Sequence, residues 1–380
     1  MDWSSRERVI TSLNFKEPDR VPIDINPVLE AYIDLKKYLH LEIEEDPKPN
    51  SAMEVIPHPI VLQALNVDLI SVKLGSVKQV NRTPNEDEWG VIRKRYYQPG
   101  GGSYMEAVNF PLAEATLSDL EKYSWPIADL PGRGEGAELM AKRLYEDTDL
   151  ALVGRFGGSI VETPLYLMGW DNWLMRMASD PEFAERLLDI ITDINIAFDR
   201  IGLEATGKYL QIFKVSGEDL GFQTGPLYSM KMFRKMLLPR FQRRWKAARE
   251  YLDQVNPDCK IMLHSCGSIR AYIPDLINAG IQVLDPVQPL AANMDSRELK
   301  RDFGTQLAFH GGVDIQQVLP FGSEADVEDK VFSRIQAFAP GGGYILSPSH
   351  AIQADVPPAN IVAMCKTAVK YGEYPLKSRR

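Results

Sequence analysis

The sequence predicts an α/β protein folded as a (β/α)8 TIM barrel, and three observations lead to this prediction. Eight short apolar segments occur along the 380 residues, and most of them are separated by stretches with helical periodicity. Each segment is nearly continuous in apolar residues, which is typical of parallel strands buried on both faces. A count of eight favours closure into a barrel over an open doubly wound sheet.

The predicted strands are runs of β-branched or apolar residues bounded by turn residues. An N-terminal helical extension is expected around the first of them. In chain order the strands are VPIDI (21–25), DLISVKL (68–74), LALVGRF (150–156), LQIFKVS (210–216), KIMLHS (260–265), IQVLDP (281–286), QLAFHG (306–311) and YILSPS (344–349).

The segments between the later strands carry helix signals. Residues 180–205 open with Asp-Pro, a common helix start. Residues 229–255 have helical periodicity, and Pro239 is expected to bend that helix. Residues 269–280 and 357–372 each end at a glycine suited to a helix C-cap.

The region from 80 to 148 departs from this alternation. Its segment NRTPNEDEWGVIRKRYYQPGGGSYMEAVNFPLA predicts a β-hairpin followed by an extended loop, inserted between strands two and three. Such a hairpin would cover one end of the barrel. The chain has no internal repeat and no low-complexity tract, so we expect residues 1–380 to form a single domain.

Composition and charge narrow the class of protein. The chain is 44% hydrophobic and 25% charged, with a net charge of -9, which argues against nucleic acid or an anionic membrane as the main partner. The N-terminal residues lack an apolar signal core, and no apolar stretch reaches the roughly 20 residues that span a bilayer. Three cysteines cannot form a closed disulfide framework. We therefore expect a cytoplasmic protein.

Polar side chains collect where the predicted strands end. In barrels of this kind the chemistry gathers at the carboxyl ends of the strands, on the loops that follow. Three of the five histidines and one cysteine fall at this rim. In strand order the rim residues are Asp24 and Asn26; Lys73; Arg155 and Glu162; Glu218 and Asp219; His264 and Cys266; Asp285 and Gln288; His310 and Asp314; and His350.

The rim residues include a candidate metal site. His264 and Cys266 are two apart at the end of a strand, so their side chains point to the same side and can bind one ion. One thiolate, two imidazoles and an oxygen suit Zn²⁺. The candidate ligands are His264, Cys266 and His350, with Glu218 as a fourth ligand that a substrate can displace. The alternative for His-x-Cys alone is a buried strand ending in a polar turn.

The other two cysteines are weaker candidates. Cys365 competes as a third ligand, but its helix places it on an apolar face, which favours a packed thiol. Cys259 precedes its strand, at the opposite end of the barrel.

The remaining rim residues are candidates for substrate binding: Asp24, Asn26, Lys73, Arg155, Gln288 and His310. For Asp24 and Asp285, capping a helix or holding a loop is an equally good interpretation. The glycine-rich GRFGGS after strand three offers backbone N–H groups to an anion, although it lacks a phosphate-loop signature.

An ordered set of motifs resembles the uroporphyrinogen decarboxylase superfamily, from about residue 5 to 374. The motifs are PDRVPIDI, SGEDLGFQTGPLYS, HSCG, DPVQP, FHGGVD and GGGYILSPSHAIQADVPPANI. The resemblance implies one of two activities: decarboxylation of uroporphyrinogen without a cofactor, or zinc-dependent methyl transfer linked to a corrinoid.

Within this resemblance, three segments favour methyl transfer. The decarboxylases carry an arginine-rich segment of the form MRQAGR after the first strand, where this chain reads INPVLEAYI. They also carry a catalytic aspartate after the second strand, where this chain reads ISVKLG with Lys73. HSCG matches the His-x-Cys of the metal-binding methyltransferases at His264 and Cys266. Those enzymes usually supply a second cysteine where this chain has His350.

The resemblance implies Zn²⁺ and a corrinoid, methylcobalamin or cob(I)alamin, carried by a partner protein that docks over the barrel mouth. A His/Cys/His site leaves the ion a stronger Lewis acid, which fits removal of a methyl group from a small methylated substrate such as a methoxylated aromatic. Glu218, Asp219 or Asp285 would then orient the substrate or protonate the leaving oxygen.

Several alternatives stay open at this point. A thiol such as coenzyme M is another methyl acceptor, and the other enzyme class is uroporphyrinogen decarboxylase. A barrel that binds a corrinoid or tetrapyrrole without catalysis is a third interpretation. The sequence leaves the methyl donor, the direction of transfer and the oligomeric state open, a homodimer being one option.

Overall fold

A computed structural model of the protein describes residues 3–44, 46–77, 83, 85–97, 102–215 and 217–377. Within these residues, seven parallel strands form one sheet in the order β1-β4-β5-β6-β7-β8-β9, and two more strands pair with each other. The strands are β1 (Leu69–Lys73), β2 (Arg93–Tyr97), β3 (Ser103–Ala107), β4 (Ala151–Arg155), β5 (Ile212–Val215), β6 (Lys260–His264), β7 (Val283–Val287), β8 (Ala308–Val313) and β9 (Tyr344–Pro348).

Helices follow most of the strands of the larger sheet. Near the middle of the chain a π-helical turn, Phe233–Leu237, separates two of them. The helices are α1 (Ser5–Leu13), α2 (Leu29–Tyr38), α3 (Pro59–Ala64), α4 (Leu117–Leu120), α5 (Arg133–Asp147), α6 (Glu162–Met168), α7 (Trp170–Ser179), α8 (Pro181–Thr206), α9 (Met230–Met232), α10 (Leu238–Val255), α11 (Ile273–Ala279), α12 (Ser296–Phe303), α13 (Val318–Phe321), α14 (Glu324–Phe338) and α15 (Pro358–Gly372).

The seven-stranded sheet is curled. Leu69 of β1 and Ile345 of β9 belong to the two edge strands, yet they share one buried cluster with residues of every strand between them. Val9 and Leu13 of α1 belong to the same cluster, so this N-terminal helix packs on the residues that line the inside of the curl. Such a cluster is the packed interior of a TIM-like fold. Its strand residues are Leu69, Ala151, Val153, Ile212, Met262, Val283, Ala308 and Ile345.

The first predicted strand, residues 21–25, does not form a regular strand. Ile23 makes an isolated parallel bridge to Leu346, whose N–H donates to the Pro22 carbonyl (2.9 Å). On the other side, the N–H of Asp68 donates to the Ile23 carbonyl (2.8 Å). Pro22 has no N–H to offer, and the Ile23 N–H donates to the Asp68 carboxylate (2.8 Å). Residues 21–25 therefore lie between the two edge strands of the sheet, β1 and β9. Regular strands occur at the other seven of the eight predicted positions.

The helix signals are confirmed where they were strongest. The Asp180 side chain accepts a hydrogen bond from Phe183 N–H, and α8 starts at Pro181. The π-helical turn ends two residues before Pro239, so the helical segment is irregular close to where bending was expected. Gly280 ends α11 in the left-handed conformation, whereas Gly372 is still helical and the C-cap of α15 is Glu373.

The predicted hairpin insertion contains an antiparallel pair of strands. β2 and β3 lie between β1 and β4 in the chain, with Arg93 opposite Ala107 and Tyr97 opposite Ser103. Residues 98–101, which connect the two strands, lie outside the described residues. None of the helices in the described part of the chain combines the length and the apolarity needed to cross a bilayer.

Candidate metal centre

Three predicted ligands come together at the carboxyl ends of β6 and β9. The ligand atoms of His264, Cys266 and His350 lie within 4.8 Å of one another. The Cys266 sulfur is 3.5 Å from His264 Nε2, and the two imidazole rings are 5.8 Å apart between centroids. His264 is the last residue of β6, and His350 follows β9 by two residues. One sulfur and two nitrogen donors at this separation fit a tetrahedral zinc site with one open position.

The electrostatic surroundings of the cluster also suit a cation. Burial and the nearby carboxylates of Asp219 and Asp285 raise the pKa of the Cys266 thiol well above its usual value. Burial and the neighbouring His264 lower the pKa of His350. A divalent cation would supply the positive charge that a Cys266 thiolate requires here, and it would bind a neutral His350 without displacing a proton.

Asp285 holds one of the ligands in place. Its carboxylate accepts a hydrogen bond from His264 Nδ1 (2.7 Å), which leaves Nε2 facing Cys266. It also pairs with Lys214 Nζ (2.6 Å) and His310 Nδ1 (2.6 Å). Although burial opposes ionisation, Lys214, His310 and His264 hold the pKa of Asp285 well below its usual range. Asp285, which was predicted to be catalytic, therefore orients the ligand His264 by binding the ring nitrogen that does not face Cys266.

His310 continues this chain of contacts away from the cluster. Its Nε2 is 3.0 Å from Asp24 Oδ2. Burial opposes protonation, but Asp285 and Asp24 together raise the pKa of His310 to about 9. A protonated His310 donates to both carboxylates. Asp24 and His310 thus support the ligand shell rather than only lining a pocket.

Asp285→Asn is expected to weaken zinc binding by roughly 10- to 100-fold, because the outer-shell carboxylate that orients His264 is lost. Competition with a chromogenic chelator measures the affinity. The matched control is Asp295→Asn, which makes the same charge change at the N-cap of α12, a position where asparagine serves as well. Equal zinc affinities of the two variants would contradict this role for Asp285.

Two rim residues position the turn that carries Cys266. Asp219 accepts a hydrogen bond from Cys266 N–H (2.9 Å), and its Oδ1 is 3.8 Å from His264 Nε2. Gln288 accepts one from Gly267 N–H (2.8 Å). Gly267 has a φ of 83°, and a β-carbon there would lie 2.2 Å from a backbone oxygen, so only glycine fits this turn.

The structure does not bring Glu218 to the three ligands. Its carboxylate is fully buried and accepts hydrogen bonds from the N–H groups of Ile160 (2.9 Å) and Val161 (2.8 Å) and from the Ser159 hydroxyl (3.1 Å). Arg244 lies 3.3 Å away. Burial raises the pKa of Glu218 to about 7, with Arg244 opposing the rise. Glu218 therefore fastens the loop after β4.

Two glycine N–H groups of the same loop are engaged by side chains of α8. Gly157 N–H donates to Asp199 (2.8 Å), and Gly158 N–H donates to Asn195 (2.8 Å). The N–H groups of Ile160 and Val161, which follow the motif, are engaged by Glu218. The loop therefore uses these four donors to hold itself in place.

Two charged residues of the site were missed in the sequence. Lys214 lies within the apolar strand β5, and its charge among apolar neighbours was an available signal. Glu54 comes from the loop before α3 and contacts Asn26 (2.9 Å) and Arg155 (3.2 Å). Burial opposes ionisation, but Arg155 and Lys214 lower the pKa of Glu54 to about 2. No sequence pattern around Glu54 indicated that it belongs to the site.

Two cavities have Arg155 in common, and one of them reaches the metal ligands. The first contains the ligands His264 and His350. The second has a volume of about 630 Å³ and is lined by Lys73 and Glu162, among others. Of the predicted substrate-binding residues, Lys73 and Arg155 line the larger cavity, and Asp24, Asn26, Arg155 and His310 line the first.

The two remaining cysteines lie away from the cluster. Cys365 is buried in α15 together with Ile361, Met364 and Ala368, as a packed thiol. Cys259 is buried before β6, and burial raises its pKa to about 12.

Fold and site together define a TIM-like α/β protein with a candidate metal centre at the carboxyl ends of its strands. The chain belongs to the uroporphyrinogen decarboxylase (URO-D) family, whose family model matches residues 96–371. Comparison with curated protein sequences found no match.

The chain also matches solved structures. A methyltransferase from Methanosarcina mazei has a TM-score of 0.67 at 17% identity, over 97% of this chain and 99% of that chain. The GH53 catalytic domain of Ignisphaera aggregans has a TM-score of 0.35 at 12% identity, over 91% of this chain and 99% of that chain. At 17% identity, the first likeness concerns the fold.

Proposed function

We propose that this protein is a zinc-dependent methyltransferase that moves a methyl group between a small methylated substrate, or a thiol, and a corrinoid carried by a partner protein. The observation that carries the proposal is the convergence of His264, Cys266 and His350 from two strand ends. Family membership is compatible with it, and the fold is shared with a methyltransferase. The partner would dock over the mouth of the curled sheet.

His264, Cys266 and His350 would hold the zinc ion. The ion would polarise a heteroatom of the substrate at its open fourth position. Asp285 fixes His264, and Asp219 fixes the backbone of Cys266, so the donors are set before the ion arrives. This arrangement is a site for chemistry on one heteroatom.

The neighbouring cavity suggests the size and charge of the substrate. Its volume of about 630 Å³ lies within the roughly 300–1,000 Å³ of small-molecule sites. Lys73 and Arg155 bring positive charge to its wall, while Phe156, Trp89 and Tyr166 provide flat apolar surface. A methoxylated aromatic compound with an anionic substituent suits these walls.

Decarboxylation of uroporphyrinogen is the second candidate, favoured by the family of the chain. Against it, INPVLEAYI has no arginine to bind substrate carboxylates, and Lys73 ends β1 where the decarboxylases carry an aspartate. The third candidate function is non-catalytic binding of a corrinoid or tetrapyrrole by the barrel.

The test uses the zinc-loaded protein with cob(I)alamin and a panel of methoxylated aromatics. We expect the spectrum of cob(I)alamin to change to that of methylcobalamin as a demethylated product appears. In a parallel reaction with uroporphyrinogen we expect no coproporphyrinogen. Formation of coproporphyrinogen would establish the decarboxylase instead. Bound zinc without methyl transfer to cobalamin or to a thiol would support the non-catalytic barrel.

A further inference from the structure

Glu162 is a carboxyl group inside the larger cavity that the metal cluster does not use. It is the first residue of α6, and its side chain lines the cavity together with Arg155 and Tyr166. Among the described residues, no hydrogen bond or ion pair involves its carboxyl oxygens. Other acidic residues bordering this cavity have cationic partners: Asp87 pairs with Arg93, and Glu88 with Arg133. A carboxyl group left without a partner in a cavity is available to a ligand.

The backbone around Glu162 is held firmly. Its own N–H donates to the Ser159 hydroxyl (2.7 Å). The N–H groups of the two preceding residues, Ile160 and Val161, donate to Glu218. The buried Glu218 therefore fixes the point at which the Glu162 side chain enters the cavity.

Glu162 lies beside the loop that also reaches the metal cluster. A β-carbon on Gly217 would lie 2.9 Å from Glu162 Oε2, so the loop that carries Glu218 and Asp219 passes directly beside the carboxyl group. Asp219 in turn contacts Cys266. One loop thus contacts both the Glu162 carboxyl group and the turn that carries Cys266.

The charges that face Glu162 favour its protonated form. Asp219 and Glu218 approach from the loop after β5, Glu54 from the loop before α3, and Arg93 from β2. Burial, then Asp219 and Glu218, raise the pKa of Glu162 to about 8, with Arg93 opposing the rise. A carboxylic acid of this kind holds its proton at neutral pH.

We propose that Glu162 is the proton donor for the leaving oxygen of a methyl ether bound in this cavity, an inference that rests on the proposed methyltransferase function. As the bond between oxygen and the methyl carbon breaks, its electron pair stays on the oxygen, and Glu162 transfers its proton to that oxygen. The methyl group passes to a Co(I) corrinoid, which supplies the electron pair of the new cobalt–carbon bond. The products are an alcohol or phenol and the Glu162 carboxylate, which water reprotonates.

Glu162→Gln tests the proposal with two donors. One is an unactivated methoxyarene, and the other carries a nitro group, whose phenolate leaves without a proton. We expect methyl transfer from the unactivated donor to fall about 10²- to 10⁴-fold, and transfer from the nitro-substituted donor to fall far less. The control is Glu182→Gln, an exposed glutamate that also lies in the first turn of a helix. Its activity is expected to match that of the wild type.

The pH profile gives a second readout. For the unactivated donor, wild-type kcat/KM is expected to decrease as the pH rises above about 8, because only the protonated acid donates. Glu162→Asp should retain this decrease at a reduced rate, and Glu162→Gln should lose it. If Glu162→Gln does not fold, the wild-type and Glu162→Asp profiles decide, and a wild type without the alkaline decrease overturns the assignment.

The outcomes separate the two proposals. Equal losses with both donors, or no loss at all, would overturn the role of Glu162 while methyl transfer by the wild type stands. Zinc content is measured in each variant and is expected to be unchanged. A wild type that transfers no methyl group from any donor would overturn the proposed function itself, and the role of Glu162 with it.

Discussion

Cys266→Ala is expected to lose stoichiometric zinc binding and all detectable methyl transfer. Cys266 is the one sulfur donor among the three converging side chains, and it supplies the negative charge that a bound cation needs. The loss should exceed the roughly 10- to 100-fold effect of removing an outer-shell partner, because a direct ligand is gone. Zinc per mole of protein, measured by elemental analysis after dialysis against a weak chelator, reports the result.

The matched control is Cys365→Ala, which removes a thiol of α15 that is buried in the hydrophobic core. This variant should retain full zinc, whatever stability it loses. His264→Ala should behave like Cys266→Ala. Equal zinc in the wild type, Cys266→Ala and His264→Ala would remove the metal centre, and the proposed function with it.

Arg244→Met is expected to lower the free energy of unfolding by about 3–5 kcal/mol, because it leaves buried carboxyl groups without their cation. The Arg244 side chain is 1% exposed and pairs with Asp199 (2.6 Å) and Glu218 (3.3 Å). It also donates to the Gly158 carbonyl (2.6 Å). Urea denaturation of the metal-free protein measures the change without a contribution from zinc.

Arg243→Met is the neighbouring control. Arg243 is 43% exposed and pairs with Asp189 and Asp193 on the surface, so its loss should cost less than about 1 kcal/mol. Similar destabilisation by the two variants would show that burial of the Arg244 network does not increase its contribution to the free energy of unfolding. A large effect confined to Arg244 would establish that network as a main support of the loop before Glu162.

The strands were predictable from local pattern, and the exception has a local cause. Seven apolar runs became strands because each is nearly continuous in buried residues, as in β7 and β9. Residues 21–25 carry the same pattern, but Pro22 has no N–H and Asp68 accepts the hydrogen bond of Ile23 N–H. The contact with Asp68 spans 45 residues along the chain, so the pattern of the segment did not contain it.

The candidate site was predictable for residues whose position on a strand determines the direction of the side chain. His264 and Cys266 are two residues apart at a strand end, and the carboxyl ends of parallel strands lie at one rim, which also brings His350 near. Glu218 and Asp219 lie on one loop, and neighbouring residues of a loop can point in opposite directions. The sequence therefore did not reveal that Glu218 turns toward Ile160 while Asp219 turns toward Cys266.

By itself, the sequence determined the order of strands and helices and the rim on which the polar residues gather, because hydrophobic periodicity and strand direction are properties of neighbouring residues. Only the tertiary structure decided which polar side chains converge as candidate metal ligands, which ones support them and which one is left free in the cavity. Those outcomes depend on partners distant in the chain, such as Asp285 for His264 and Arg244 for Glu218. A buried polar group takes the direction in which its hydrogen bonds and charge are satisfied, and folding alone brings those partners within reach.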